Sequence, residues 1–192
     1  GMGAKVVAVE KIFLQGDYTQ TKNQMDVAIE GQGFFKLLNN NREVYTRSGA
    51  FKLDKDGYIC DSNGNRLQPE FAIPPKTATI TIEPGGKIVA SAADGTELSS
   101  VQIQLFNFPN PAGLRSIGQN LLVPSEASGE AIQGNPGVDE FGTILQGFLE
   151  MSNVDVVEEM INMIMAQRAY EVGSKVIQSG NDMLQMATNL KR

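Results

Sequence analysis

The densest oxygen-ligand pattern in this sequence lies in two short loops, Asp54-Lys55-Asp56-Gly57 and Asp61-Ser62-Asn63-Gly64-Asn65. Carboxylates and amides at alternate positions are what a calcium loop uses. Tyr58 fills the fifth position of the first loop, and Arg66 stands where the sharp-turn glycine of the second would be. Neither has the closing glutamate in register. The same residues suit hairpin turns, because Asp and Asn bond their own backbone and Gly accepts a positive φ. Other chemistry is thin. The chain has no His and a single cysteine, Cys60. That removes Ser–His and Cys–His couples, disulfides within the chain and the usual zinc ligand sets. Gly31-Gln32-Gly33 starts like a dinucleotide fingerprint but lacks the third glycine and precedes a strand. Glu158 and Glu159 are neighbours on a helical pattern, so they point apart and form no acid–base pair. Cys60 reads as a half-buried strand residue, and the methionines 160, 163, 165, 183 and 186 read as packing. The expectation is no catalytic residue, no cofactor, no metal, and no enzyme.

Charge narrows the partners. Sixteen basic against 22 acidic residues leave a net charge of −6. Such a chain repels phosphate backbones, so nucleic acid is a poor partner. No run of about 18 apolar residues offers a membrane span. The first five residues hold one positive charge and no long apolar stretch, unlike a secretory signal.

The elements that would position these residues divide the chain in two, 1–150 and 151–192. The first part alternates with a period of two between Gly, Asn and Asp turns, which predicts antiparallel strands with one wet face. Expected strands run over 6–13, 25–30, 34–38, 43–47, 51–53, 58–60, 66–67, 79–83, 87–90 and 101–106. Residues 107–142 read as irregular, and 143–149 as one more apolar run. From Ser152 the period becomes helical. Ser152 and Asp155 suit an N-terminal cap. A stripe follows at Val154, Val157, Ile161, Ile164, Arg168, Val172, Val176, Ser179, Met183, Met186 and Leu190, with nine of its eleven positions apolar. As a helix, 154–190 would be roughly 55 Å long. A compact domain of this size is about 30–35 Å across, so the stripe needs another helix, in this chain or another. The expected fold is a β-rich domain of antiparallel strands plus one long C-terminal α-helix, an α+β and mainly β class. Val157, Ile161, Ile164, Arg168, Val172, Val176, Met183, Met186 and Leu190 are the candidate subunit-contact residues.

Several segments, in order, resemble the bacterial flagellar rod and hook proteins. They are Gln15-Gly16 with Gln20-Thr21; Asp26-Val27-Ala28-Ile29-Glu30-Gly31-Gln32-Gly33-Phe34-Phe35; Tyr45-Thr46-Arg47-Ser48-Gly49-Ala50-Phe51; Asp54 with Asp56-Gly57; Ser116-Ile117-Gly118-Gln119-Asn120-Leu121; Gln146-Gly147; and Glu150-Met151-Ser152-Asn153-Val154, followed by Met163-Ile164 and Gln167-Arg168-Ala169-Tyr170-Glu171. The full set fits the distal-rod branch. The resemblance implies a structural subunit of the basal body, a homo-oligomeric helical tube and contacts with other rod, hook and ring proteins. It also implies a place in the rod across the periplasm, reached by flagellar export without a cleaved signal. In that family paired terminal helices line the tube and a β domain sits outside; against this pattern the chain starts near the β domain, without the N-terminal helical segment. Two other readings stay open: a proximal rod or hook-type axial protein, and a non-polymeric secreted β-domain binding module.

Overall fold

Turn residues cut the described part of this chain into strands of two to six residues. The computed structural model describes residues 15–151, all within the first of the chain's two units, Gly1–Met151. In chain order the strands are β1 (Tyr18–Gln20), β2 (Val27–Glu30), β3 (Phe35–Asn39), β4 (Arg42–Thr46), β5 (Lys52–Leu53), β6 (Ile59–Cys60), β7 (Arg66–Leu67), β8 (Thr79–Ile82), β9 (Lys87–Ser91), β10 (Glu97–Gln102), β11 (Leu105–Asn107), β12 (Arg115–Gly118), β13 (Leu121–Val123), β14 (Ile132–Gly134), β15 (Thr143–Gln146) and β16 (Phe148–Glu150). The strand pairs are antiparallel.

The fold class is mainly β, which corrects the expected α+β. Among the described residues the only helical element is a 3-10 turn at Pro111–Gly113. The expected long helix, its cap at Ser152 and its stripe lie outside the described residues, as does the expected strand over 6–13. A 3.6-residue period says which face of a helix would be apolar. It does not supply the packing partner from which most helix stability comes, so it cannot set a fold class by itself.

The largest sheet runs β12-β13-β4-β3-β7-β6-β5. Its central hairpin, β3 with β4, turns at Asn40 and Asn41, with φ of 46° and 65°. Asparagine tolerates this left-handed backbone better than other side chains do. A three-stranded sheet, β10-β9-β8, and the β2–β15 pair complete the enclosure of the main core. Val27 and Ile29 of β2, Phe35 and Leu37 of β3, Ile80 and Ile82 of β8, and Ile144 of β15 all point into it. Phe35 and Phe51 meet edge-on there, with ring centroids 5.3 Å apart.

Three local expectations are corrected. Residues 101–106 do not form one strand: Val101 and Gln102 end β10, Leu105 begins β11, and Ile103 between them donates its N–H to the Gly86 carbonyl. The chain changes sheets at this point, which a continuous period-2 pattern cannot reveal. The stretch 107–142 contains β12, β13 and β14, whose shortness hides any period. Cys60 is fully buried, not half-buried, and burial pushes its thiol pKa up.

A second, aromatic core joins Phe34, Tyr45, Phe106 and Phe108 with Leu114 and Leu122. Tyr45 meets Phe108 edge-on at 4.9 Å and Phe106 at 5.6 Å. Burial pushes the Tyr45 phenol up to about 12, and the Glu43 carboxylate adds to the shift. The folded state therefore holds the phenolic proton more tightly than the unfolded state does. The associated stability is complete below the ordinary value of 10.0 and is lost as pH rises toward about 12. Thermal melts between pH 9 and 12, on the order of the tyrosine range, should show a falling midpoint that Tyr45→Phe flattens.

Gly49 permits a close approach beside the main core, to which Val27 belongs: a Cβ there would sit 1.7 Å from the Val27 carbonyl oxygen, and the Gly49 carbonyl accepts the Val27 N–H at 3.0 Å. Gly49→Ala should cost about 3 kcal/mol or more in urea denaturation, because backbone itself must move.

Candidate functional site

The two ends of the described stretch lie side by side. β1 pairs with β16 through Tyr18–Glu150, Thr19–Leu149 and Gln20–Phe148. Met151 donates its N–H to the Asp17 carbonyl at 2.7 Å, and Thr21 donates to the Gly147 carbonyl at 2.7 Å. Residues 17–21 and 147–151 thus run side by side.

Arg47 sits behind this ladder, just past the end of β4. Its Nη1 donates to the carbonyls of Gly31 at 2.9 Å and Gly33 at 2.7 Å. Its Nη2 donates to the Ile29 carbonyl at 3.1 Å and to Glu150 Oε2 at 2.7 Å. Its Nε donates to the same Oε2 at 3.1 Å. These five bonds use all five N–H donors of a guanidinium. The other oxygen of Glu150, Oε1, accepts the N–H of buried Gly16 at 3.0 Å. Tyr18 Oη donates to the Ile29 carbonyl at 3.1 Å. Burial, then the nearby Glu150 charge, pushes the Tyr18 phenol pKa up, so it stays a neutral donor.

Glycine geometry presents the carbonyls. Gly31 and Gly33 have φ of 117° and 135°, a backbone region that side chains rarely adopt. These two residues carry the chain out of β2 with their oxygens turned toward Arg47. A Cβ on Gly31 would also lie 2.8 Å from the Gly142 Cα.

Gln146 and Gly147 finish the seam. Gln146 Nε2 donates to the Gln24 and Ile80 carbonyls, each at 2.8 Å, and its Oε1 accepts the Ile82 N–H at 3.0 Å. Gln24 Oε1 accepts the Ile80 N–H at 3.2 Å. Two glutamine side chains therefore satisfy the open edge of β8, which would otherwise carry unpaired backbone groups. Gly147, at φ of 79°, separates β15 from β16 and donates its N–H to the Asp26 carbonyl at 2.7 Å.

The residues weighed for metal chemistry lie elsewhere and are spent on turns. Asp54 Oδ1 accepts the N–H groups of Asp56 and Tyr58, each at 2.9 Å, and Oδ2 accepts Arg66 Nε at 3.0 Å. Partial burial raises the Asp54 pKa, but those N–H bonds and the Arg66 guanidinium outweigh it and hold the carboxyl below its usual value. Asp61 Oδ1 accepts from Asn63 and Asn65, and its Oδ2 accepts Asn65 Nδ2. Oxygens facing N–H donors in this way are turn caps. The nine candidate contact residues from Val157 to Leu190, the Glu158–Glu159 pair and the methionines of 160–186 lie outside the described residues. Reading by residue type gave Arg47, Gln146 and Glu150 no chemical role. Their signal lay in the short segments that carry the family resemblance, five of which converge on this seam.

Residues 145–190 match the family described as flagellar basal body rod FlgEFG protein C-terminal, and residues 28–90 match the flagellar hook protein FlgE/F/G D1 domain. The chain is 43% identical to the flagellar basal-body rod protein FlgG of Borreliella burgdorferi over 100% of its own length and 74% of that protein. It is 35% identical to FlgG of Bacillus subtilis, over 100% of the chain and 75% of that protein. Likeness to the flagellar hook protein FlgE of Brucella suis, 38% identical, covers 56% of the chain and 27% of that protein.

Gln146→Ala should lower stability by about 1–3 kcal/mol, because it leaves the Ile82 N–H and the Ile80 carbonyl, both on buried residues, without partners. Urea denaturation of the two proteins side by side measures it.

Proposed function

The chain belongs to the FlgG family of flagellar basal-body rod proteins and is a structural subunit of the distal rod, and we propose that its copies stack into a helical tube that carries torque from motor to hook. The observation that carries this reading is likeness to rod proteins across the whole chain, at 35–43% identity. The β1–β16 pairing supports it physically: a domain whose two ends leave at one place suits a body hung from a continuous shaft. Contacts between copies are assigned to Val157, Ile161, Ile164, Arg168, Val172, Val176, Met183, Met186 and Leu190, which fall inside the matched stretch 145–190. Eight apolar side chains there contribute about 1.5–3 kcal/mol each if fully covered, and Arg168 pairs with an acid of the neighbouring copy. The contact is heterologous, since only a head-to-tail repeat that does not close builds an open tube. The two ends of the tube meet other rod and hook proteins, and its side meets ring proteins. The subunit reaches this place by the flagellar export route and works where the rod crosses the periplasm.

The test uses the gene in the bacterium that carries it. Deleting it should abolish swimming and leave isolated basal bodies without the outer part of the rod. Reintroducing the gene with both Ile161→Asp and Ile164→Asp should fail to restore the rod, and the variant subunit should run as a monomer on sizing. Normal rods built from the double variant would refute the assigned contact.

A further inference from the structure

We infer that Arg47 and Glu150 form a pin that makes the two ends of the β domain move as one body, so that force entering by one end cannot peel it from the other. The inference rests on the rod reading for its mechanical purpose and on geometry for its existence. The ladder between β1 and β16 has only three residue pairs. A two-stranded ladder this short is marginal in water. Its residues are half-buried or exposed, so packing adds little. Peeling would begin at the open mouth of the ladder, at residues 17 and 151, and the pin sits beside that mouth. Glu150 holds Gly16 through one oxygen and Arg47 through the other. Arg47 in turn holds the backbone at residues 29, 31 and 33, next to the main core. Separating the ends therefore requires breaking charge-assisted bonds between groups whose side chains are only 22% and 13% exposed. Such bonds are shorter and stronger than neutral ones. Lysine cannot replace the arginine: its single ammonium has three donors and no fork to reach carbonyls and carboxylate together.

Hydrogen exchange on the full chain tests the pin, using Glu150→Ala, Glu150→Gln and Arg47→Lys. With Glu150→Ala, amides over 16–21 and 147–151 should exchange about tenfold faster or more, while those of β3 and β4 stay as protected as before. Glu150→Gln, which keeps an acceptor and loses the charge, should fall between. Arg47→Lys should open the same segments. If protection is unchanged, or falls equally in β3 and β4, the pin is an ordinary part of the fold and the inference is wrong. In cells, the Glu150→Ala gene expressed at the normal level should give about tenfold fewer swimming cells than the unaltered gene. Full swimming with an opened joint would overturn the mechanical role. Swimming that survives deletion of the gene would instead overturn the rod reading and the mechanical role with it, leaving the exchange result to judge the joint alone.

Discussion

One guanidinium ties together what chain order keeps apart. Arg47 bonds to Glu150, 103 residues away, to the Ile29 carbonyl in β2 and to the Gly31 and Gly33 carbonyls of the bend that follows it. Because all its donors are engaged, its position dictates several others. The bend must carry glycine at 31 and 33 to turn its oxygens inward, Glu150 must end β16 with its carboxylate facing the domain, and Gly16 must pass close enough to donate to it. An unpaired charge here would be costly, since both side chains are largely withdrawn from water. The interaction holds a geometry more than it adds net stability, and a structural subunit depends on geometry.

Around that tie the β domain is made of small sheets. Turns built on Asn, Asp and Gly arrive every few residues, so among the described residues no strand exceeds six residues and sheet area must come from many pieces. Small sheets expose many edges, and the structure answers with side chains. Gln24 and Gln146 bond the free edge of β8, much as a neighbouring strand would. Asp54 and Asp61 fold their own turns onto their carboxylates. Two apolar clusters then fill the spaces between sheets, an aliphatic one around Ile29 and Phe35 and an aromatic one around Tyr45. The oxygen-rich loops that resemble ligand sites are thus consumed by the fold, and the groups that close the seam are amides, a guanidinium and a carboxylate.

Much of the β domain is legible in one dimension, because period-2 alternation and turn chemistry act between residues close in sequence. The hairpin at Asn40-Asn41, the turns at Asp54 and Asp61, and the strands Thr79–Ile82 and Lys87–Ser91 follow from such local rules. The family also follows from short segments that chain order preserves. The break between β10 and β11, the strands within 107–142 and the full burial of Cys60 do not, because each depends on which sheet lies overhead. The α+β class expected from the stripe beyond Ser152 is corrected because the described residues hold no helix beyond the 3-10 turn at Pro111–Gly113, and a helical period by itself names a face without supplying a fold class.

By itself, then, the sequence determined the antiparallel strands, the turn positions and membership in a structural family. Only the tertiary structure decided that Gly31, Arg47, Gln146 and Glu150 belong to one site. The physical reason is that hydrogen bonds and ion pairs act over about 3 Å in space, and nothing in a linear order says which distant groups chain closure will bring within that reach.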